Sequence, residues 1–133
     1  MTTPRLFVGP MSKEIVDISI EYSNSKNRLG LIPSRRQIEN VGGYVNNWTT
    51  KNFAEYVKQR SENVLLVRDH GGPGQGSKDD SGLKSLESDI SSGFNILHID
   101  PWKKAKSLED GIQKTSALIK HCCNKDKNIL FEV

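Results

Sequence analysis

The chain has 133 residues, 35% of them hydrophobic and 26% charged, with basic and acidic residues mixed to a formal net charge of +3. That balance fits one soluble domain; the lack of a basic block argues against nucleic acid as a partner, and the shortness of the apolar runs argues against a membrane span. The start, Met1-Thr2-Thr3-Pro4-Arg5, lacks an apolar signal core, so a cytoplasmic protein is expected.

Arg5-Leu6-Phe7-Val8-Gly9-Pro10 predicts a short strand that stops at Gly-Pro. Ser12 is placed to cap the helix that follows, in which Ile15, Ile18 and Tyr22 recur at helical spacing and Val16 and Ile20 widen the apolar face. Ser23-Asn24-Ser25-Lys26-Asn27 ends that helix, and Leu29-Gly30-Leu31-Ile32-Pro33 is the second strand. Its exit, Ser34 to Tyr44, is long and polar. Thr49 or Thr50 then caps a helix with Phe53, Tyr56 and Val57 on one face.

Val64-Leu65-Leu66-Val67 is an apolar run without alternation, the mark of a strand buried on both faces in a parallel sheet. It stops at Arg68-Asp69-His70 and a glycine-rich loop beginning Gly71-Gly72-Pro73-Gly74. Leu83, Leu86 and Ile90 share a face of the next helix, which Ser92-Gly93 ends. Phe94 to Asp100 is the fourth strand, closed by Pro101. Ser107 and Asp110 then frame a capping box, and Leu108, Ile112, Thr115, Ile119 and Cys122 predict a core-facing stripe. Asn128 to Val133 is a fifth strand. The adjacent Cys122 and Cys123 are poorly spaced for bridging each other and read as reduced thiols.

Strands alternating with helices predict an α/β fold with a parallel sheet and right-handed crossovers, in one domain over residues 1–133. Two architectures fit. One is part of a (β/α)8 TIM barrel, about five parallel strands and four helices; the other is a doubly wound open sheet. A full barrel takes about 250 residues, so the first implies an N-terminal half truncated after the fifth strand, inactive by itself and prone to associate into an oligomer. Sequential strand order would indicate the barrel and a reversal of order the open sheet.

In either architecture ligands bind at the carboxyl ends of the strands. Asp69 and His70 stand at such an end, although Asp69 capping the loop over a packed His70 is an equally ordinary use of the pair. Gly71 and Gly72 open a loop with backbone freedom and room for a ligand, without the pattern of a P-loop. Arg35, Arg36 and Gln37, at the second strand's exit, either grip a phosphate or sugar or form a solvated loop with an ion pair to Glu39. Asp100 ends the fourth strand at the same face. Arg35, Asp69 and Asp100 are thus expected to surround one space.

Gly42-Gly43-Tyr44, Thr49, Phe53, Asp69-His70-Gly71-Gly72-Pro73, Gly93-Phe94 and His98-Ile99-Asp100 form a series. In order and spacing, from about Val8 to Val133, it resembles the N-terminal half of the tagatose-bisphosphate aldolase accessory-subunit family. That family is related to the class II, metal-dependent sugar-bisphosphate aldolases, which are (β/α)8 barrels. The resemblance implies an aldehyde-lyase site for a phosphorylated ketohexose, with Asp69 as the proton-transferring acid and His70 as a zinc ligand. Asp100 would contact substrate or orient a histidine. It equally implies a non-catalytic subunit that stabilises a partner aldolase. Of the remaining imidazoles, His98 reads as an inward barrel residue rather than a ligand, and His121 as a surface residue at the negative end of its helix.

Overall fold

All five expected strands form, with four helices between them. The computed structural model describes residues 4–25 and 27–133; Met1 to Thr3, and Lys26 in the expected helix end, lie outside the described residues. The order is β1 (Phe7–Val8), α1 (Lys13–Ser25), β2 (Leu29–Leu31), α2 (Thr50–Lys58), β3 (Val64–Gly71), α3 (Leu83–Ser91), β4 (Ile96–Ile99), a 3-10 turn (Trp102–Lys104), α4 (Leu108–Lys125) and β5 (Leu130–Glu132). Among the described residues no helix is long and apolar enough to cross a membrane.

The strands form one parallel sheet in the order β1-β2-β3-β4-β5. Order never reverses among these strands. Right-handed crossovers that all step the same way put every helix on one face, and α2 packs on α3 and α3 on α4. This is the strand order of a (β/α) barrel wall. The sheet is open among the described residues: β1 and β5 are its edges.

Strand alternation divides the side chains between two faces. Paired positions put Leu31, Leu66, Leu97 and Phe131 toward the helices, where the first three are buried in the main core with Val16, Phe53, Val57 and Leu86. The other face carries Phe7, Leu65, Val67, Ile96 and Leu130. The Phe7 ring covers Gly30, where an added Cβ would meet it at 2.3 Å.

Two helical stripes turn out differently from their spacing. On α1, Ser19 and Ser23 join Val16 and Ile20 in the interior, while Ile18 is 61% exposed and Ile15 and Tyr22 also face out. Small hydroxyl side chains let the helix sit close to the sheet. Their polarity costs little, because Ser19 donates to Ile15 O (2.6 Å), and Ser23 donates to Ile20 O (2.8 Å) and meets Ser61 Oγ (3.0 Å). On α4 the buried residues are Gly111, Leu118 and Cys122, and Leu108 and Ile112 are exposed. The Trp102 ring explains the rotation. It lies against Gly111, where a Cβ would come within 2.1 Å of it.

Helix starts follow the sequence more closely. Thr49, not Thr50, caps α2, its side chain accepting from Asn52 N at 3.1 Å. Ser107 caps α4 by accepting from Asp110 N at 3.2 Å. Thr49→Ala is expected to cost about 1 kcal/mol, read as a lowered urea midpoint with an unchanged slope; a shift indistinguishable from zero would remove the cap from the account of α2. Cys122 is buried and Cys123 half-buried, both free thiols, and burial pushes the Cys122 thiol up to about 11.

Candidate functional site

At the carboxyl end of β3 the regular ladder breaks. Val67 and Arg68 pair with Ile96 and Leu97, but the next pair is Gly71 with Ile99, so three steps on β3 match two on β4. The extra residue falls at Asp69-His70, and His70 takes φ +48°. A side chain in the left-handed region is uncommon outside glycine and asparagine. Such irregularities re-aim side chains, and they recur beside functional sites.

The irregularity gathers four residues. His70 Nδ1 lies 2.5 Å from Asp100 Oδ2. His70 Nε2 lies 3.6 Å, and His98 Nδ1 3.7 Å, from Asp69 Oδ1. The two imidazole rings are 4.7 Å apart at 48°. The His70 amide donates to His98 Nδ1 at 3.3 Å. Behind them Gln75 Nε2 donates to Asp100 Oδ2 (2.9 Å), and the Trp102 amide donates to Asp100 Oδ1 (3.1 Å). His70 is exposed and the other three are partly covered, so the cluster opens to solvent with Asp100 as its floor.

These groups suit a divalent metal. One ligand atom from each of Asp69, His70 and His98 lies within 4.8 Å of the other two. Imidazole and carboxylate donors in threes are the catalytic zinc pattern. Asp100 lies on His70 Nδ1, which leaves Nε2 open; a carboxylate behind a metal-ligating imidazole fixes its ring and tautomer.

The other expected residues do different work. Arg35 is buried, 3% exposed, and four of its five N–H groups are engaged: Nε by Glu39 (2.6 Å), Nη1 by Gly72 O (2.8 Å) and Asp80 Oδ1 (2.9 Å), and Nη2 by Asp80 Oδ2 (2.9 Å). Burial alone would lower its affinity for the proton, but Asp80 and Glu39 more than offset that, and Arg35 in turn holds the Asp80 carboxyl below its ordinary range. The guanidinium expected to clamp phosphate is therefore committed to the protein's own loops. Arg36 is exposed. Gln37 is buried, accepting from Ser34 N (2.8 Å) and donating to Met11 Sδ (3.2 Å), so it closes the β2 exit on itself. Gly71 gives its carbonyl to Asp100 N at 2.7 Å. Gly72, at φ +140°, packs its backbone against Asp100, where a Cβ would lie 2.8 Å from Asp100 O. Of the expected ring, Asp69, His70 and Asp100 meet at one rim, with Gly71 and Gly72 as backbone supports, while the Arg35 guanidinium is packed beneath it.

His98 faces away from the helices, as expected of an inward barrel residue, and it joins the cluster because His98 and Asp69 are each one residue removed from the paired, helix-facing Leu97 and Arg68. Arg68 is the feature that escapes the sequence. It is fully buried on the opposite face. It binds Asp89 on α3 through two bonds (2.8 and 2.6 Å), and Nη1 donates to the Pro33 and Ile38 carbonyls (3.0 and 2.9 Å). His121 pairs with Glu87 across α3 and α4 at 2.9 Å, away from any site.

No family model matches the chain, and no curated protein matches it. Among solved structures it is similar to a probable tagatose 6 phosphate kinase from Sinorhizobium meliloti 1021, with TM-score 0.74 and 16% identity. The match covers 94% of this chain and 37% of that one, so this chain spans just over a third of that protein's length. At this identity the likeness is one of fold.

Proposed function

We propose that this chain supplies the metal-binding wall of a (β/α) barrel that handles a phosphorylated ketohexose, as a class II aldolase does. The observation that carries the reading is the Asp69, His70 and His98 cluster with Asp100 behind it, at the carboxyl ends of β3 and β4. The sequence series around Asp69-His70-Gly71-Gly72-Pro73 supports the class. The description of the similar solved protein as a probable tagatose 6 phosphate kinase supports the kind of substrate.

In this reading His70 Nε2 and a ring nitrogen of His98 would hold the cation. A bound divalent cation would polarise a ketose carbonyl and stabilise the negative charge that develops when the adjacent carbon–carbon bond is cleaved. Asp69 stands beyond hydrogen-bond distance of both imidazoles and keeps a partly open carboxylate, so it is free to pass a proton to or from the sugar's oxygen. Asp100 keeps His70 in one orientation. The phosphate would be gripped by residues other than Arg35, whose charge is already matched.

A second reading has its own observation. His98 Nδ1 already accepts the His70 amide, and His70 Nδ1 already meets Asp100, so the cluster is largely satisfied from within. A barrel of that kind would serve as the non-catalytic subunit that stabilises a partner aldolase. Equilibrium dialysis of the 133-residue chain against zinc separates the two: about one tightly bound ion supports the metal site, and no binding by the folded chain refutes it. Asp100→Asn is expected to weaken that binding by about 10–100-fold without unfolding the protein; unchanged affinity would strip Asp100 of its role.

A further inference from the structure

We infer that Arg35 is the positioning residue of this site: it straps the β3 exit to the β2 exit and so sets how His70 meets Asp100. The inference rests on the proposed metal site and adds to it a residue that touches neither metal nor substrate.

Between Arg68 and Gly71 the ladder to β4 lapses; on the β2 side pairing reaches Asp69, whose amide donates to Pro33 O at 3.0 Å, and stops before His70. His70 at φ +48° and Gly72 at φ +140° are both conformations that surrounding structure must hold in place. The His70 amide is held by His98 Nδ1, and the glycines that follow are held from two sides. From the β4 side, Asp100 N donates to Gly71 O. From the β2 side, Arg35 Nη1 donates to Gly72 O at 2.8 Å. A Cβ on Gly72 would lie 2.8 Å from Asp100 O, so the backbone that the strap holds runs close beside the residue that meets the His70 imidazole.

The other end of Arg35 is anchored as firmly. Glu39 holds Nε, and Asp80 takes both Nη groups in a fork. Asp80 also closes the glycine loop on itself, Oδ1 accepting from Gly82 N (2.9 Å) and its carbonyl from Gly74 N (3.1 Å). One guanidinium thus ties the β2 exit, the start of the β3 loop and that loop's far end. A planar fork with five donors can do this and an ammonium cannot. Arg35→Lys retains the charge but cannot reach Glu39, Asp80 and Gly72 at once.

The test uses the full chain without metal, then with zinc. In the parent, the contact between His70 Nδ1 and Asp100 Oδ2 predicts a single Nδ1-protonated tautomer in long-range nitrogen–proton NMR. Arg35→Lys should show a mixture of the two tautomers, and zinc affinity should fall about tenfold or more, on the scale of other losses behind a metal ligand. Asp80→Asn, on the exposed side of the strap, should shift both readouts the same way and guards against failure of the buried variant to fold. Val16→Ala, in the α1 core, serves as a destabilised control and should shift neither. A parent-like tautomer in Arg35→Lys or in folded Asp80→Asn overturns the inference, as does an equal change in Val16→Ala. If the parent binds no zinc, the metal reading fails and the strap is decided by the tautomer alone.

Discussion

Replacing His70 with alanine is expected to lower zinc affinity by at least about 100-fold, a loss no smaller than that from removing a group behind a ligand. The fold should survive, because the His70 side chain is 51% exposed and reaches no part of the apolar core. A companion variant separates binding from backbone strain. His70→Gly loses the same imidazole, but glycine takes φ +48° without the penalty of a Cβ. The glycine variant should therefore be more stable than the alanine variant by about 1 kcal/mol, and equally unable to bind zinc. Isothermal calorimetry and urea unfolding read the two quantities independently. Retained affinity in both would dismiss His70 as a ligand, and a glycine variant less stable than alanine would dismiss the strain.

The largest loss of stability is expected from Asp89→Ala. Asp89 and Arg68 are both fully buried and doubly bonded, and among the described residues Arg68 makes no other ion pair. Burial pushes the Asp89 carboxyl above its ordinary range despite the guanidinium beside it, so forming the pair is no large gain in itself. The damage comes from stranding one charge. About 3–5 kcal/mol is expected, a large share of the 5–15 kcal/mol that holds a typical domain together. Arg68→Met with Asp89→Leu removes both charges and should recover much of the loss. Recovery should stay incomplete, because the Pro33 and Ile38 carbonyls lose their donor. Chemical denaturation of the three variants decides it: a single variant within 1 kcal/mol of the parent would contradict the account.

The sequence carries the layout of the molecule well, for a physical reason. The run Val64-Leu65-Leu66-Val67 has no polar residue to turn outward, so only a strand covered on both faces accommodates it, and all four side chains are buried. Thr49 and Ser107 announce their helices through bonds made within four residues. Legibility ends where partners are distant in the chain. Arg35 next to Arg36 looks like a phosphate grip, and nothing local reveals that Asp80, 45 residues on, completes a buried fork. His98 reads as a filler of the barrel until the register shift brings His70 against it. The faces of α1 and α4 are misjudged because both helices carry more apolar residues than one face needs, and Ser19, Ser23 and Gly111 win the inner positions by being small.

Arg68 and Asp69 are neighbours with opposite destinations, one sealed among the helices and the other at the open rim. A slip of β3 by a single position would exchange them. It would drive a carboxylate into the apolar layer with no partner and push a guanidinium into the mouth of the site, while every Val and Leu of the strand changed sides. The same juxtaposition that builds the cluster of Asp69, His70 and His98 therefore also specifies the register of the sheet.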